Sequence, residues 1–149
     1  MTIKRYLLVA AFILLAYCNA LAGGVGTWKN YLAYSDVQWV EEGSNKLYVL
    51  ASNSLYTYNK NDQSIKTYDK VNGLSDTDIR FIAWNKTARR LVIIYSNNNI
   101  DLLDDRGNVT NVPDYYLKTT MADKTVNGID MSGVYCYLST GLSLIHISE

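Results

Sequence analysis

Short strand-like runs that return at spacings of 42 and 47 residues predict an all-β fold, a β-propeller fragment of about two and a half four-stranded blades after a signal peptide. The repeat is the first observation: residues 37–40 (VQWV) match residues 79–82 (IRFI) and, more weakly, residues 126–129 (VNGI). The second is that each copy is followed by a further apolar run, 46–50 (KLYVL), 90–95 (RLVIIY) and 134–138 (VYCYL). These are rich in the β-branched and aromatic residues that central strands favour. Composition is the third. Thirteen Tyr against two Phe, with many Asn, Ser and Thr and a single Pro, suit strands and tight turns, and a hydrophobic content of 48% is that of folded chains.

The remaining strands follow in order. A third run occurs twice, 54–58 (SLYTY) and 99–103 (NIDLL), each behind a polar turn segment, 51–53 (ASN) and 96–98 (SNN). A fourth, 65–68 (IKTY) and 109–112 (VTNV), is reached through 59–62 (NKND) and 104–108 (DDRGN), which is hairpin chemistry. Period-two alternation sends Tyr56 and Tyr58 to one face. The expected organisation is an incomplete propeller over residues 23–141, with blades at about 35–69 and 77–112 and a partial third at 126–141. A β-sandwich has similar strand spacing but does not predict a motif repeated at blade length. No stretch sustains a helical period, and residues 121–125 suggest a turn of helix at most.

Both ends read differently. Residues 1–5 are a short basic start, 6–17 (YLLVAAFILLAY) an apolar run, and Ala20-Leu21-Ala22 offers small residues at the two recognition positions. This is a Sec-type signal peptide over 1–22, with cleavage between Ala22 and Gly23. The apolar run is short of the roughly 20 residues a membrane span needs. Leu15-Ala16-Tyr17-Cys18 resembles a lipoprotein box; Tyr17 before the cysteine argues against it, and acylation of Cys18 stays as the alternative. Residues 142–149 (LSLIHISE) read, codon for codon, as a translation of the transposon-end adapter used in sequencing libraries. They are expected to be an adapter-derived artefact, a strand over the same residues being the competing reading.

Removing Lys4, Arg5 and Glu149 from 14 basic and 14 acidic residues leaves 12 and 13, a net charge of −1 without a basic cluster. Nothing there attracts nucleic acid. With Cys18 in the leader, Cys136 is a single thiol and is read as a small buried apolar residue. His146 is the only histidine and lies in the tail, so it is set aside as a site residue.

No G-x-S-x-G elbow or Gly-rich phosphate loop occurs. Asp101, Asp104, Asp105 and Asn108 fit no EF-hand spacing and read as a solvated hairpin rather than a calcium loop. Glu41 and Glu42 sit together in an expected turn before Gly43, and a glycosidase would need two carboxyls facing across a cleft. Tyr115, Tyr116, Tyr135 and Tyr137 could stack on sugars, but strand packing between blades explains most tyrosines without a ligand and is the favoured reading. The expectation is therefore a non-enzyme, with no catalytic residue, cofactor or metal, and with ligand-binding residues unknown.

Residues 71–79 (VNGLSDTDI) resemble the linker of two-component-regulator-type propeller repeats, in which Gly73 makes the turn out of one blade and Ile79 starts the next. The wider string is similar to the start of the PorZ-type family: Trp28, Tyr31, Ala33-Tyr34, the NGLSD linker, 94–103 (IYSNNNIDLL) and 112–114 (VPD). The resemblance covers residues 28–141. It implies a type IX secretion component acting with other attachment-complex proteins to join exported cargo to anionic lipopolysaccharide or a related glycan. The family also implies two propellers and a sorting domain, which these residues do not include. Sec export would place the protein in the periplasm or on the outer-membrane surface. Two further readings stay open: the periplasmic oligosaccharide-sensing propeller of a hybrid two-component regulator, and a polysaccharide-degrading propeller enzyme.

Overall fold

The computed structural model describes residues 34–120, 123–141 and 144–148. The expected signal peptide, the Ala22–Gly23 cleavage point, Cys18, Trp28, Tyr31, Ala33, Met121 and Leu142 lie outside the described residues.

Among the described residues eleven strands form three antiparallel sheets, each a meander in sequence order. The first contains β1 (Val37–Glu42), β2 (Lys46–Ala51), β3 (Ser54–Asn59) and β4 (Ile65–Tyr68). The second contains β5 (Ile79–Asn85), β6 (Arg90–Tyr95), β7 (Ile100–Asp104) and β8 (Val109–Asn111). The third contains β9 (Val126–Ser132), β10 (Tyr135–Thr140) and β11 (Leu144–Ser148). Contacts between sheets run chiefly through β1, β5 and β9. The first strand of every sheet therefore lies at a common hub, as in propeller blades radiating from an axis.

The turns explain why each sheet doubles back. Ser52 and Asn53 both take positive φ, 47° and 56°, the backbone that a two-residue hairpin needs to match strand twist. The β5–β6 turn is held by the Asn85 side chain, which accepts from the amides of Thr87 and Ala88. In the β7–β8 turn Asp104 accepts from the amides of Arg106 and Asn108 and from the Asn108 carboxamide, each at 2.8 Å.

The repeat is built into the backbone. In every sheet the hub strand carries a bulge at the second residue of the motif. Gln38, Arg80 and Asn127 are the extra residues between Val37 and Trp39, Ile79 and Phe81, and Val126 and Gly128. Just outside each bulge the same hydrogen bond recurs, Ser52 N to Asp36 O at 2.8 Å, Ser96 N to Asp78 O at 3.0 Å and Gly141 N to Thr125 O at 3.4 Å.

Alternation along blade 2 sorts the core into two layers. Leu91, Ile93 and Tyr95 face blade 1 and meet Tyr48, Leu50, Leu55, Tyr68 and Leu74. Val92 and Ile94 face blade 3 and meet Val126, Cys136 and Leu138. A strand covered on both faces has to be apolar throughout, and β6 is buried from Leu91 to Tyr95. Tyr48 stacks on Trp84 at 5.1 Å between centroids, and its other side lies against Gly43, where a Cβ would stand 2.7 Å from the ring.

Three features depart from the sequence reading. Helix is absent from 123–125 but forms one turn earlier, α1 (Asp114–Leu117), begun by Pro113 and anchored by buried Tyr115. Glu41 and Glu42 end strand β1 instead of forming a turn, because Gly43 starts the reversal. The third sheet has three strands where two were expected, since residues 144–148 pair with β10. An open sheet edge offers unpaired N–H and C=O groups to a strand of any origin, so this pairing leaves the adapter expectation where it stood.

Candidate functional surface

The joint between blades 1 and 2 is built on the 69–79 linker. Asp69 accepts the amides of Asn72 and Leu74 through its carbonyl, each at 3.0 Å, and curls the chain so that Leu74 drops into the inter-blade core. The next amide, Ser75 N, reaches across to Asp101 Oδ2 at 2.8 Å. Asp101 is fully buried and accepts two further bonds, from the Tyr95 hydroxyl at 2.6 Å and the Asn111 carboxamide at 2.8 Å. Burial first, and the Asp101 carboxylate second, push the Tyr95 phenol far above its ordinary range, so it remains a donor.

A second contact lies where the turns of one blade meet the hub strand of the next. The Gln38 carboxamide pairs with Asn53, and the Asn53 side chain donates to Asp78. Hydrogen bonds from Asn53 and then Ser96 hold the Asp78 carboxyl below the usual carboxylate range. Ile79 N donates to Asn53 O at 3.0 Å; between blades 2 and 3, Val126 N donates to Asn98 Oδ1 at 3.4 Å. The cavity beneath this joint, among Tyr68, Leu74 and Asp76, is about 80 Å³, far below the few hundred Å³ of a small-molecule site.

The carboxylates considered from sequence do not converge. Glu41 spans to blade 2, accepting Trp39 Nε1 at 2.7 Å and Trp84 N at 3.3 Å, while Glu42 turns away to Lys60 at 2.8 Å. Asp104 is occupied by its own turn, Asp105 pairs with Arg89 and its carbonyl accepts Lys46 Nζ at 2.8 Å, and Asp101 belongs to the inter-blade joint. Among the described residues no three or more His, Cys, Asp or Glu are grouped to hold a metal. The Tyr48 hydroxyl is buried without a partner among the described groups; burial, then Asp105 and Tyr68, push its phenol well above the ordinary range.

The tyrosines divide by position. Tyr115 is buried and donates to Lys124 O at 2.7 Å, whereas Tyr116 is exposed. Tyr135 and Tyr137 lie with His146 on the face of blade 3 turned away from blade 2, the two rings at 6.0 and 6.5 Å from the imidazole. This face carries a shallow groove of about 430 Å³ bordered by Gly128, Asp130, Tyr137, Ser139 and Leu144. By strand register Tyr137 occupies the position of Tyr48, the ring that blade 1 presses onto blade 2. Cys136 is buried.

Sequence reasoning grouped Asp101 with the hairpin acids and passed over Asn53 and Asp78. An aspartate alternating into a strand as apolar as IDLL is the signal that marks Asp101 out, because a lone carboxylate there has to be matched by donors.

The family described as the PorZ N-terminal β-propeller domain matches residues 47–148. The structure is similar to that of PorZ, described as an essential bacterial surface component of the type IX secretion system of Porphyromonas gingivalis. Identity is 35% over 83% of this chain, with a TM-score of 0.76. The chain spans 17% of that protein. Two similar folds are extracellular domains from B. thetaiotaomicron. One, of a putative one-component system, has 19% identity, 76% of this chain and 15% of that one, and a TM-score of 0.58. The other, of a putative hybrid two-component system, has 22% identity, 70% and 14%, and a TM-score of 0.55. Among curated proteins no match is found.

Proposed function

The chain belongs to the family of PorZ amino-terminal β-propeller domains, and on that premise we propose that it serves as part of a non-enzymatic binding platform of the type IX secretion attachment machinery. In this reading the protein is exported by Sec and displayed at the cell surface. There it works with other attachment-complex proteins to link exported cargo to anionic lipopolysaccharide. The observation that carries the reading is the PorZ match, which joins 35% identity to a shared fold over most of the chain. The disposition of Glu41, Glu42, Asp101, Asp104 and Asp105 agrees with it, since each is taken up by a turn, a salt bridge or a joint between blades.

Deletion of the gene tests this. Cargo proteins should accumulate unprocessed or unanchored, and surface labelling should reach the protein in intact cells. If deletion changes only the transcription of glycan-use genes while cargo attachment stays normal, the protein is a sensor propeller. If the purified protein cleaves polysaccharide, it is an enzyme.

A further inference from the structure

The sequence holds two Asn-Gly pairs, Asn72-Gly73 and Asn127-Gly128, and the fold differs between them in how it holds the glycine. Asn72 and Gly73 form the tip of the turn that leaves blade 1, and both are exposed. Gly73 has φ of 111°, and a Cβ placed on it would meet nothing within 4 Å, so the tip of the turn is uncrowded. Among the described residues no hydrogen bond holds the Asn72 carboxamide or the Gly73 N–H. The Asn72 amide is fixed to Asp69 on the other side. Asn127 is the exposed bulge residue of β9, without a partner in β10, and Gly128 after it pairs with Ser139.

We propose that Asn72 is a site of spontaneous deamidation at the joint between blades 1 and 2. The Gly73 nitrogen attacks Asn72 Cγ. A C–N bond forms as the Gly73 proton is lost, and the side-chain nitrogen takes up a proton and leaves as ammonia. Water then opens the succinimide ring. Attack at Cγ yields aspartate, and attack at the backbone carbonyl yields isoaspartate. The net change is amide plus water to carboxylic acid plus ammonia, with nothing oxidised or reduced. Isoaspartate adds one methylene to the main chain two residues before Leu74, which is buried in the inter-blade core, and adds a charge three residues after Asp69 and four before Asp76. In β9 the same ring closure requires Gly128 to leave its pairing with Ser139 first.

The full chain, incubated folded in mildly alkaline buffer and digested with trypsin, separates the two sites. Residues 71–80, cut out after Lys70 and Arg80, hold Asn72, and residues 125–149, released after Lys124, hold Asn127. Each peptide contains no other asparagine. Peptide 71–80 should gain the mass of an amide-to-acid exchange and accept label from an isoaspartyl methyltransferase. Its rate should exceed that of peptide 125–149 at least about tenfold, the factor set by a local opening of about 1.4 kcal/mol. In denaturant the two rates should converge, and Asn72→Gln should abolish labelling of residues 71–80. Equal rates in the folded chain, no conversion at Asn72, or a preference unchanged in denaturant would overturn the proposal.

Discussion

Single side chains set the strength of the inter-blade joint, and Asp101 is the strictest case. Its carboxylate accepts a backbone amide, a phenol and a carboxamide while fully buried. Asp101→Ala should cost about 3 kcal/mol, because three donors lose a charged acceptor and Tyr95 keeps a buried hydroxyl. Asp105→Ala removes an exposed pair with Arg89 and should cost less than about 1 kcal/mol. Urea titration of the two variants checks the difference.

Acid should act on the same joint. Asp78 is held below its ordinary value by Asn53 and Ser96. Asp76 is also held low: burial, the largest effect, pushes it up, but the Asn97 hydrogen bond and its other partners prevail. A carboxylate with a depressed folded pKa contributes stability that is present above its unfolded pKa, about 3.9, and is lost as pH falls through the folded value. Stability should therefore decline below about pH 4, and Asp78→Asn should flatten that decline. A decline that begins near neutrality would contradict it. At the chain's start, mass spectrometry of the exported protein should find Gly23 first; a start at acylated Cys18 would replace this proposal.

At the scale of elements, turns and close approaches decide whether a blade holds its register. Ser52 adopts φ of 47°, which costs a non-glycine residue roughly 1 kcal/mol, so Ser52→Gly should stabilise blade 1 by a few tenths to about 1 kcal/mol. Asn53→Ala should destabilise it, since Gln38 and Asp78 lose their common partner. Gly43→Ala places a methyl against the Tyr48 ring, which is stacked on Trp84 behind it. The ring has to shift, at a cost of about 1–3 kcal/mol. Near-ultraviolet circular dichroism should register the altered stack, and an unchanged spectrum and midpoint would count against this account.

For the whole molecule the consequence of repetition is an unequal pair of faces. Val40 and Ile82 hold the same place in the repeat, yet Val40 is 50% exposed and Ile82 only 2%, because blade 1 covers Ile82. Ile82→Ala should cost about 2–4 kcal/mol, whereas Val40→Ala in this chain should cost under about 1 kcal/mol. The open faces around Val40 on blade 1 and Tyr137 on blade 3 should make the isolated chain associate with rising concentration, and Val40→Asp should weaken that association. Light scattering reads both effects. A monomer at all concentrations with a cooperative melt would show that the open faces do not drive association.

The all-β class, the four-strand repeat and the PorZ-type resemblance were legible in the sequence. They rest on local chemistry: the unbroken apolar run in 90–95, turn residues at Ser52-Asn53 and the NGLSD linker are each written within a few positions. The partnership of Ser75 with Asp101, the bridge from Glu41 to Trp84 and the difference between Val40 and Ile82 were not. Each joins residues 26 or more positions apart, or depends on which blade happens to cover a face. Periodicity reports which side of a strand is apolar. Only the stacking of one blade on the next decides which of those sides is buried, and which carboxylate is left there to gather the donors.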